Sequence, residues 1–386
     1  MFKLSRRLQN LPPYLFIEID KAKRGARQSA RDLIDLGVGD PDLPTPGHII
    51  EKLCQAAKDP QNHKYSLDQG MLSLRKAIAD WYRKRFNVKL NPESEILPLI
   101  GSKEGIAHMP LAFVNPGDYV LVPDPCYPPY RGSSLLCDGQ VFSMALLAEN
   151  SFLPDFKAIP LKIRKKAKLM FLNYPNNPTG AIANKEFYLK VIDFAFKHNV
   201  IIAHDAAYSE MSYGGYKPKS FLELEGAKDI GVEFHSLSKT YNMTGWRIGW
   251  VCGNAGLVSG IAKVKSNIDS GIFSAIQIAG IEALSGPQVH IQKMCAVYQE
   301  RRDILCDGLI SMGWKVSIPR ATFYVWVPVP KGYESRNFAS LLLEKCDIVV
   351  TPGVGFGKYG EGYIRFALTV PKERIGEALE RIKKRL

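Results

Sequence analysis

Short apolar runs bounded by turn residues alternate with helical patterns along the first two thirds of the chain, and this alternation is what most constrains the fold. The runs fall at residues 95–100, 119–122, 168–173, 200–203, 232–235 and 248–251, with helical patterns such as 70–86 and 185–198 between them. Such runs read as buried strands rather than half-exposed ones. Buried strands separated by helices imply a mostly parallel sheet covered on both faces, an α/β architecture. Past residue 280 the pattern changes. A long helical stretch at 287–312 precedes expected strands at 314–318, 323–327 and 363–367 and a closing helix at 371–386. This predicts a large domain of residues 46–280 and a smaller α+β domain built from 1–45 and 281–386, within reach of a chain of 386 residues.

Several function classes drop out. No window approaches 18 uninterrupted apolar residues, so no transmembrane helix is expected. The first 20 residues mix Lys3, Arg6, Arg7, Glu18 and Asp20 with two prolines and lack the apolar core of a signal peptide. The seven cysteines are odd in number and show no C-x-x-C spacing, which argues against a disulfide framework or a zinc site and for a reducing compartment. No metal is expected, and the cytoplasm is the expected location. The net charge of +13 raises the question of nucleic acid. Its densest run, 162–168, has no aromatic interleaving and no accompanying motif, so it reads as a solvated helix face. Neither nucleic acid nor membrane is expected as a partner.

In an open parallel sheet, ligands bind beyond the carboxyl ends of the strands. Residues with chemistry accumulate there. Gly101-Ser102-Lys103-Glu104-Gly105 opens a helix after the first run, and N–H groups at a helix start bind phosphate. A plain N-cap by Ser102 is the competing reading. Asn176-Asn177-Pro178-Thr179-Gly180 follows the third run and alone reads as a turn. His204-Asp205-Ala206-Ala207-Tyr208 offers a carboxylate for a protonated ring nitrogen, with a tyrosine in reach of the same pocket. Their bland readings are a helix cap and a half-buried core ring. Ser236-Leu237-Ser238-Lys239 follows the fifth run and leads to Gly245-Trp246-Arg247-Ile248-Gly249. A lysine among hydroxyls and near an arginine, in a cleft, should have a lowered pKa, as imine chemistry requires. Together these supply a phosphate cradle, an imine-forming amine and an acid for a pyridinium nitrogen, which is what pyridoxal 5'-phosphate needs.

The order and spacing of these segments resemble the class I/II aminotransferases of pyridoxal-phosphate fold type I over nearly the whole chain. The stretch Ser236-Leu237-Ser238-Lys239-Thr240-Tyr241-Asn242-Met243-Thr244-Gly245-Trp246-Arg247-Ile248-Gly249 is similar to that family's lysine-attachment motif at every defining position. The resemblance implies a seven-stranded sheet between helices in the large domain. It implies that Lys239 binds the cofactor covalently and shuttles the proton, and that Asp205 pairs with the ring nitrogen. Asn177 and Tyr208 would hydrogen-bond the ring hydroxyl oxygen, and Tyr127 would stack on the ring. Ser102, Lys103, Ser236, Ser238 and Arg247 would line the phosphate. Tyr65 would reach it from a second subunit, so a homodimer is implied. Arg365 would grip the substrate α-carboxylate, a task suited to a bidentate fork, and Gly39 would lie in a loop closing over the substrate.

Within that family, residues 11–16, 101–105 and 351–357 resemble the LL-diaminopimelate aminotransferases and relatives that use alanine or other neutral amino acids. A diaminopimelate donor carries an ammonium and a carboxylate at its far end, and both need partners once desolvated. Lys103 is the candidate for the carboxylate, Asp68 of a neighbouring subunit for the ammonium, and Tyr14 for a further hydrogen bond. A cap on the helix expected near Gly70 is the competing reading of Asp68. The expected reaction is ping-pong transamination between an amino acid, foremost LL-2,6-diaminopimelate, and 2-oxoglutarate. Competing readings are a broad or neutral-amino-acid aminotransferase, a carbon–sulfur lyase on the same scaffold, and a cofactor-sensing regulatory module. The last is disfavoured because the family pattern begins within the first 40 residues and the catalytic set is complete.

Overall fold

The computed structural model describes residues 2–12 and 31–386. Its strands are, in chain order, β1 (Ile34–Asp35), β2 (Ile96–Leu99), β3 (Tyr119–Asp124), β4 (Gln140–Ala145), β5 (Ala167–Asn173) and β6 (Ile201–Asp205). They continue as β7 (Gly231–Ser236), β8 (Gly249–Gly253), β9 (Tyr324–Pro328), β10 (Ile348–Val349), β11 (Thr351–Pro352) and β12 (Tyr363–Ala367). Seven of them form one sheet in the order β2-β8-β7-β6-β5-β3-β4. Strands β3 to β7 pair in parallel, and β8 lies antiparallel to both β7 and β2.

Both faces of this sheet are dry, and successive side chains show it. Leu121, Met170, Leu172 and Ile202 join an apolar cluster on one face with Leu74, Ile78 and Trp81 of helix Leu72–Phe86 and Phe187 and Val191 of helix Lys185–His198. Their chain neighbours Val120, Val122, Leu169, Phe171 and Ala203 turn to the other face. There they meet Ile106 and Met109 of helix Ser102–Phe113 and Val258 and Ile261 of helix Ala255–Lys265. The period of two sorts the residues onto opposite faces, and burial on both sides explains the unbroken apolar runs in the sequence.

A third apolar cluster gathers Ile34, Leu36, Tyr298, Leu305, Phe323, Val325, Phe366 and Ile375. It packs the antiparallel sheet β11-β12-β9 and the parallel pair β1-β10 against helices Val289–Ser311 and Lys372–Arg385. No described helix is long and apolar enough to cross a membrane.

Three expectations need correcting. Residues 314–318 form no strand: Trp314 and Val316 do pack against the third cluster, but no ladder partner lies alongside. Alternation reports which side chains face a core, and pairing needs a neighbour as well. The basic run 162–168 is not one helix face. It splits between a single turn, Leu161–Arg164, and the start of β5 at Ala167. Strand β4 is absent from the expected set; as an edge strand it is only partly buried and shows no apolar run.

Candidate active site

Strand register brings the chemical residues to one edge of the sheet. Leu99 of β2 and Ser236 of β7 both pair with Gly249 of β8. The turn after β2, the turn after β7 and the residues just before β8 therefore meet. This juxtaposes Gly101 and Ser102, Ser236 and Ser238, and Arg247. Closeness is enforced by glycine. A Cβ on Gly249 would fall 2.8 Å from the Ser102 amide nitrogen, and one on Gly101, where φ is +76°, would fall 2.1 Å from an Arg247 terminal nitrogen. Gly101 is the N-cap of helix Ser102–Phe113 and gives no side-chain cap, so the Ser102 hydroxyl is not spent on one. The Ser236 hydroxyl accepts the Ser238 N–H at 3.1 Å.

Further along the same edge, Asn173 of β5 pairs with Asp205 of β6, and Asp205 with Phe234 of β7. Asp205 is buried. It accepts a hydrogen bond from the Tyr130 hydroxyl at 2.7 Å and one from the Ala207 N–H at 3.2 Å. Burial raises its pKa above the usual carboxylate value, and these two donors offset only part of that rise. Lys239 donates to the Gly39 carbonyl at 2.9 Å. Burial, opposed in part by Asp40 and reinforced by Arg365 and Arg247, pushes its amine down to about 8.

Arg365 of β12 enters from the second sheet. It is 1% exposed, donates to Asn177 Oδ1 and to the Gly37 carbonyl, each at 2.8 Å, and lies 4.1 Å above the Tyr324 ring. Its Nε is buried with no hydrogen-bond partner among the described residues. The Tyr208 and Tyr324 hydroxyls share a hydrogen bond of 3.0 Å. A Cβ on Gly39 would fall 2.0 Å from the Tyr324 hydroxyl, so only glycine fits there.

One cavity of about 260 Å³ unites these groups. Ser102, Lys103, Tyr127, Asn177, Asp205 and Tyr208 line it, as do Ser236, Ser238, Lys239, Arg247, Gly39 and Arg365. A wider depression of about 770 Å³ adjoins it at Lys103 and carries Arg131, Arg336 and Lys358. Two expected residues stand apart in this single chain: Tyr65, 95% exposed, and Asp68, neither of which lines the cavity. Asp68 does not cap the following helix, whose N-cap is Met71. Tyr14 lies outside the described residues. Sequence reading missed Tyr130, Asn173 and Tyr324, which also line the cavity. Asn173 ends a strand and so carried a signal; Tyr324 sits in an apolar run, where nothing marks one tyrosine as functional.

The site fits the cofactor expected from the sequence. A buried carboxylate bonded only to neutral donors calls for a cationic partner such as a ring N–H, and a lysine with a lowered pKa faces the same space. The phosphate end has a helix start, two serines and an arginine.

The family model for class I and II aminotransferases matches residues 31–382. An LL-diaminopimelate aminotransferase of Moorella thermoacetica is 54% identical over 98% of this chain and 97% of its own. One of Syntrophobacter fumaroxidans is 57% identical over 99% of each. A substrate-bound BacF structure from Bacillus subtilis superposes with a TM-score of 0.95 at 38% identity, over 100% of this chain and 98% of that one. Likeness of this extent leaves no part of the described fold outside the comparison, and the chain belongs to the class I and II aminotransferases, as an enzyme that works with pyridoxal phosphate.

Proposed function

We propose that this enzyme exchanges amino groups between LL-2,6-diaminopimelate and 2-oxoglutarate, a step of lysine biosynthesis. The observation that carries this reading is the full-length likeness to relatives of that name, 53–57% identical. The depression beside Lys103 suits it chemically: Lys103, Arg336 and Lys358 line it together with an Arg131–Asp124 ion pair, and both the donor's distal carboxylate and the dicarboxylate acceptor need cations there.

Bound pyridoxal phosphate supplies an electron sink beside the substrate amino group. The remaining work falls to the chain. Asp205 would hold the ring nitrogen protonated, with Tyr130 fixing the carboxylate. Ser102, Lys103, Ser236, Ser238 and Arg247 would hold the phosphate. Asn177 and Tyr208 would bond the ring oxygen and Tyr127 would cover the ring. Arg365, with Nε to spare, would take the substrate α-carboxylate. Lys239 would take the Cα proton and return it one position along, since its lowered pKa makes it both base and acid near neutrality. Gly39 would stay close to Lys239 over the substrate. Lys103 would meet the distal carboxylate and Asp68 of the neighbouring subunit the distal ammonium, with Tyr14 adding a hydrogen bond.

The enzyme is a homodimer on this reading. Tyr65, Leu67, Ile268 and Phe273 are 95, 77, 59 and 43% exposed, and the Ser66 hydroxyl ties the two segments together at Ile272. Apolar exposure of this kind suits burial against a second copy, with Tyr65 and Asp68 entering its site. The apolar clusters support a division near residues 46–280 and a unit of 1–45 with 281–386, although Tyr208, Met211 and Tyr213 join the second unit's cluster and Ala283 and Leu284 the first's. Seven free thiols fit the cytoplasm.

The test is a comparison of kcat/KM for LL-diaminopimelate, alanine and aspartate with 2-oxoglutarate. Diaminopimelate should lead by at least about tenfold, and Asp68→Ala should shrink that lead, as loss of one charged partner implies. Equal rates with alanine would sink the substrate assignment.

A further inference from the structure

Beneath the phosphate turn lies a buried ionic cluster that the proposed chemistry does not use. Glu104 sits in the first turn of helix Ser102–Phe113. Its Oε2 accepts the Ile100 N–H at 2.5 Å, and its Oε1 accepts from Lys265 at 3.0 Å. Lys265 is wholly buried and donates also to Asp269 Oδ1 at 2.5 Å and to the Ser270 carbonyl at 3.1 Å. His108 Nδ1 is 3.5 Å from Glu104 Oε1 and has no hydrogen-bond partner among the described residues. Burial lowers the His108 pKa and raises that of Glu104, whose rise is opposed by its contact with Lys265. The ligand atoms of Glu104, His108 and Asp269 lie within 4.8 Å of one another, as metal ligands do, but the chain supplies its own ammonium to two of the three.

The turn after Asp269 packs on the exposed segment around Tyr65. A Cβ on Gly271 would fall 2.3 Å from the Leu67 carbonyl oxygen and 2.4 Å from the Ser66 hydroxyl. The Ser66 hydroxyl donates to the Ile272 carbonyl at 2.6 Å. Gln277 donates to that same carbonyl at 2.6 Å and accepts the Met71 N–H at 2.7 Å. Contact is therefore continuous from the amide of Ile100, at the phosphate turn, through Glu104, Lys265 and Ser270 to residues 66–71.

We propose that Lys265 is a positioning residue that couples the phosphate turn of its own subunit to the segment carrying Tyr65 into the neighbouring subunit's site. This rests on the dimer reading above. A buried ammonium with three acceptors fixes the distance between the two carboxylates and the carbonyl, so a shift at one end is passed to the other. Holding pyridoxal phosphate in one site and presenting Tyr65 to the next are then one coupled event.

A double-mutant cycle tests it. Cofactor dissociation constants are measured by fluorescence titration of the full-length apoenzyme for wild type, Lys265→Met, Tyr65→Phe and the double variant. Each single change should weaken binding on the order of tenfold, and the double variant should be scarcely weaker than the worse single one, as coupled residues behave. Multiplying losses, or an unchanged constant in Lys265→Met, overturns the coupling. An unchanged constant in Tyr65→Phe alone instead overturns the cross-subunit reading on which the coupling rests. Should Lys265→Met fail to give a cooperative melt, Asp269→Asn takes its place in the cycle under the same criteria.

Discussion

The Lys239 amine meets influences of opposite sign. Burial strips water from its ammonium form, and Arg365 and Arg247 repel that form, while Asp40 and Asp205 favour it. The balance leaves the amine at about 8. Below that value it is mostly protonated and has no lone pair to offer; above it, it is mostly a free nucleophile. Capture of pyridoxal phosphate by the apoenzyme should therefore speed up as pH rises through about 8 and level off beyond it. Stopped-flow absorbance of the lysine-bound cofactor across pH 6.5–9.5 measures this, and a rate still climbing at the top of that range, as an ordinary lysine at 10.5 would give, contradicts it. Lys239→Ala should show no such band and should lose turnover by orders of magnitude, since both the attachment and the proton carrier are gone.

Between elements, spacing is set by backbone contact more than by side-chain type, and the two glycines of Gly245-Trp246-Arg247-Ile248-Gly249 separate the cases. A Cβ on Gly249 would press on the His235 carbonyl oxygen at 2.6 Å and the Ser102 amide nitrogen at 2.8 Å, whereas one on Gly245 meets nothing within 4 Å. Gly249→Ala must part β8 from β7 and from the phosphate turn, which should cost about 1–3 kcal/mol of stability, the usual range for overpacking, and weaken cofactor binding. Gly245→Ala should stay within about 0.5 kcal/mol of wild type. Thermal melts of the apoenzyme with cofactor titration decide it, and equal effects at both positions would refute the argument. The sequence shows both glycines but not this difference, because it lies in contacts among three strands distant along the chain. The same limit explains what else was legible. Runs such as 168–173 and 232–235 declared their strands because burial on both faces leaves an apolar record. Edge strand β4 left none, and Trp314 and Val316 left a record of facing a core without a partner strand. Asp205, Asn177 and Lys239 stood out as polar residues past the ends of buried runs, and Arg247 as one just before the next. Tyr324, inside such a run, did not.

Across the whole molecule, Tyr65 and Asp68 are the described site candidates that do not line the cavity of their own chain, while the others do. Either they serve a neighbouring copy or they serve no site. Subunit mixing separates these possibilities. A Lys239→Ala subunit keeps Tyr65 and Asp68, and a Tyr65→Ala, Asp68→Ala subunit keeps Lys239. If the segment crosses a twofold interface, each mixed dimer contains one intact site, formed by Lys239 of one subunit and Tyr65 and Asp68 of the other. If they serve no site, the Tyr65→Ala, Asp68→Ala subunit is active by itself and mixing only averages the two parents. Co-expressing the two variants with different affinity tags should thus restore about a quarter of the wild-type rate when pairing is random, as half the dimers are mixed and each has one good site of two. Isolating doubly tagged dimers should raise this to about half. Activity no greater than the mean of the two parent homodimers would place the segment outside the neighbour's site. Sedimentation of the wild type as a monomer would remove the interface itself, and the apolar surface of Tyr65, Leu67, Ile268 and Phe273 would then need another partner to cover it.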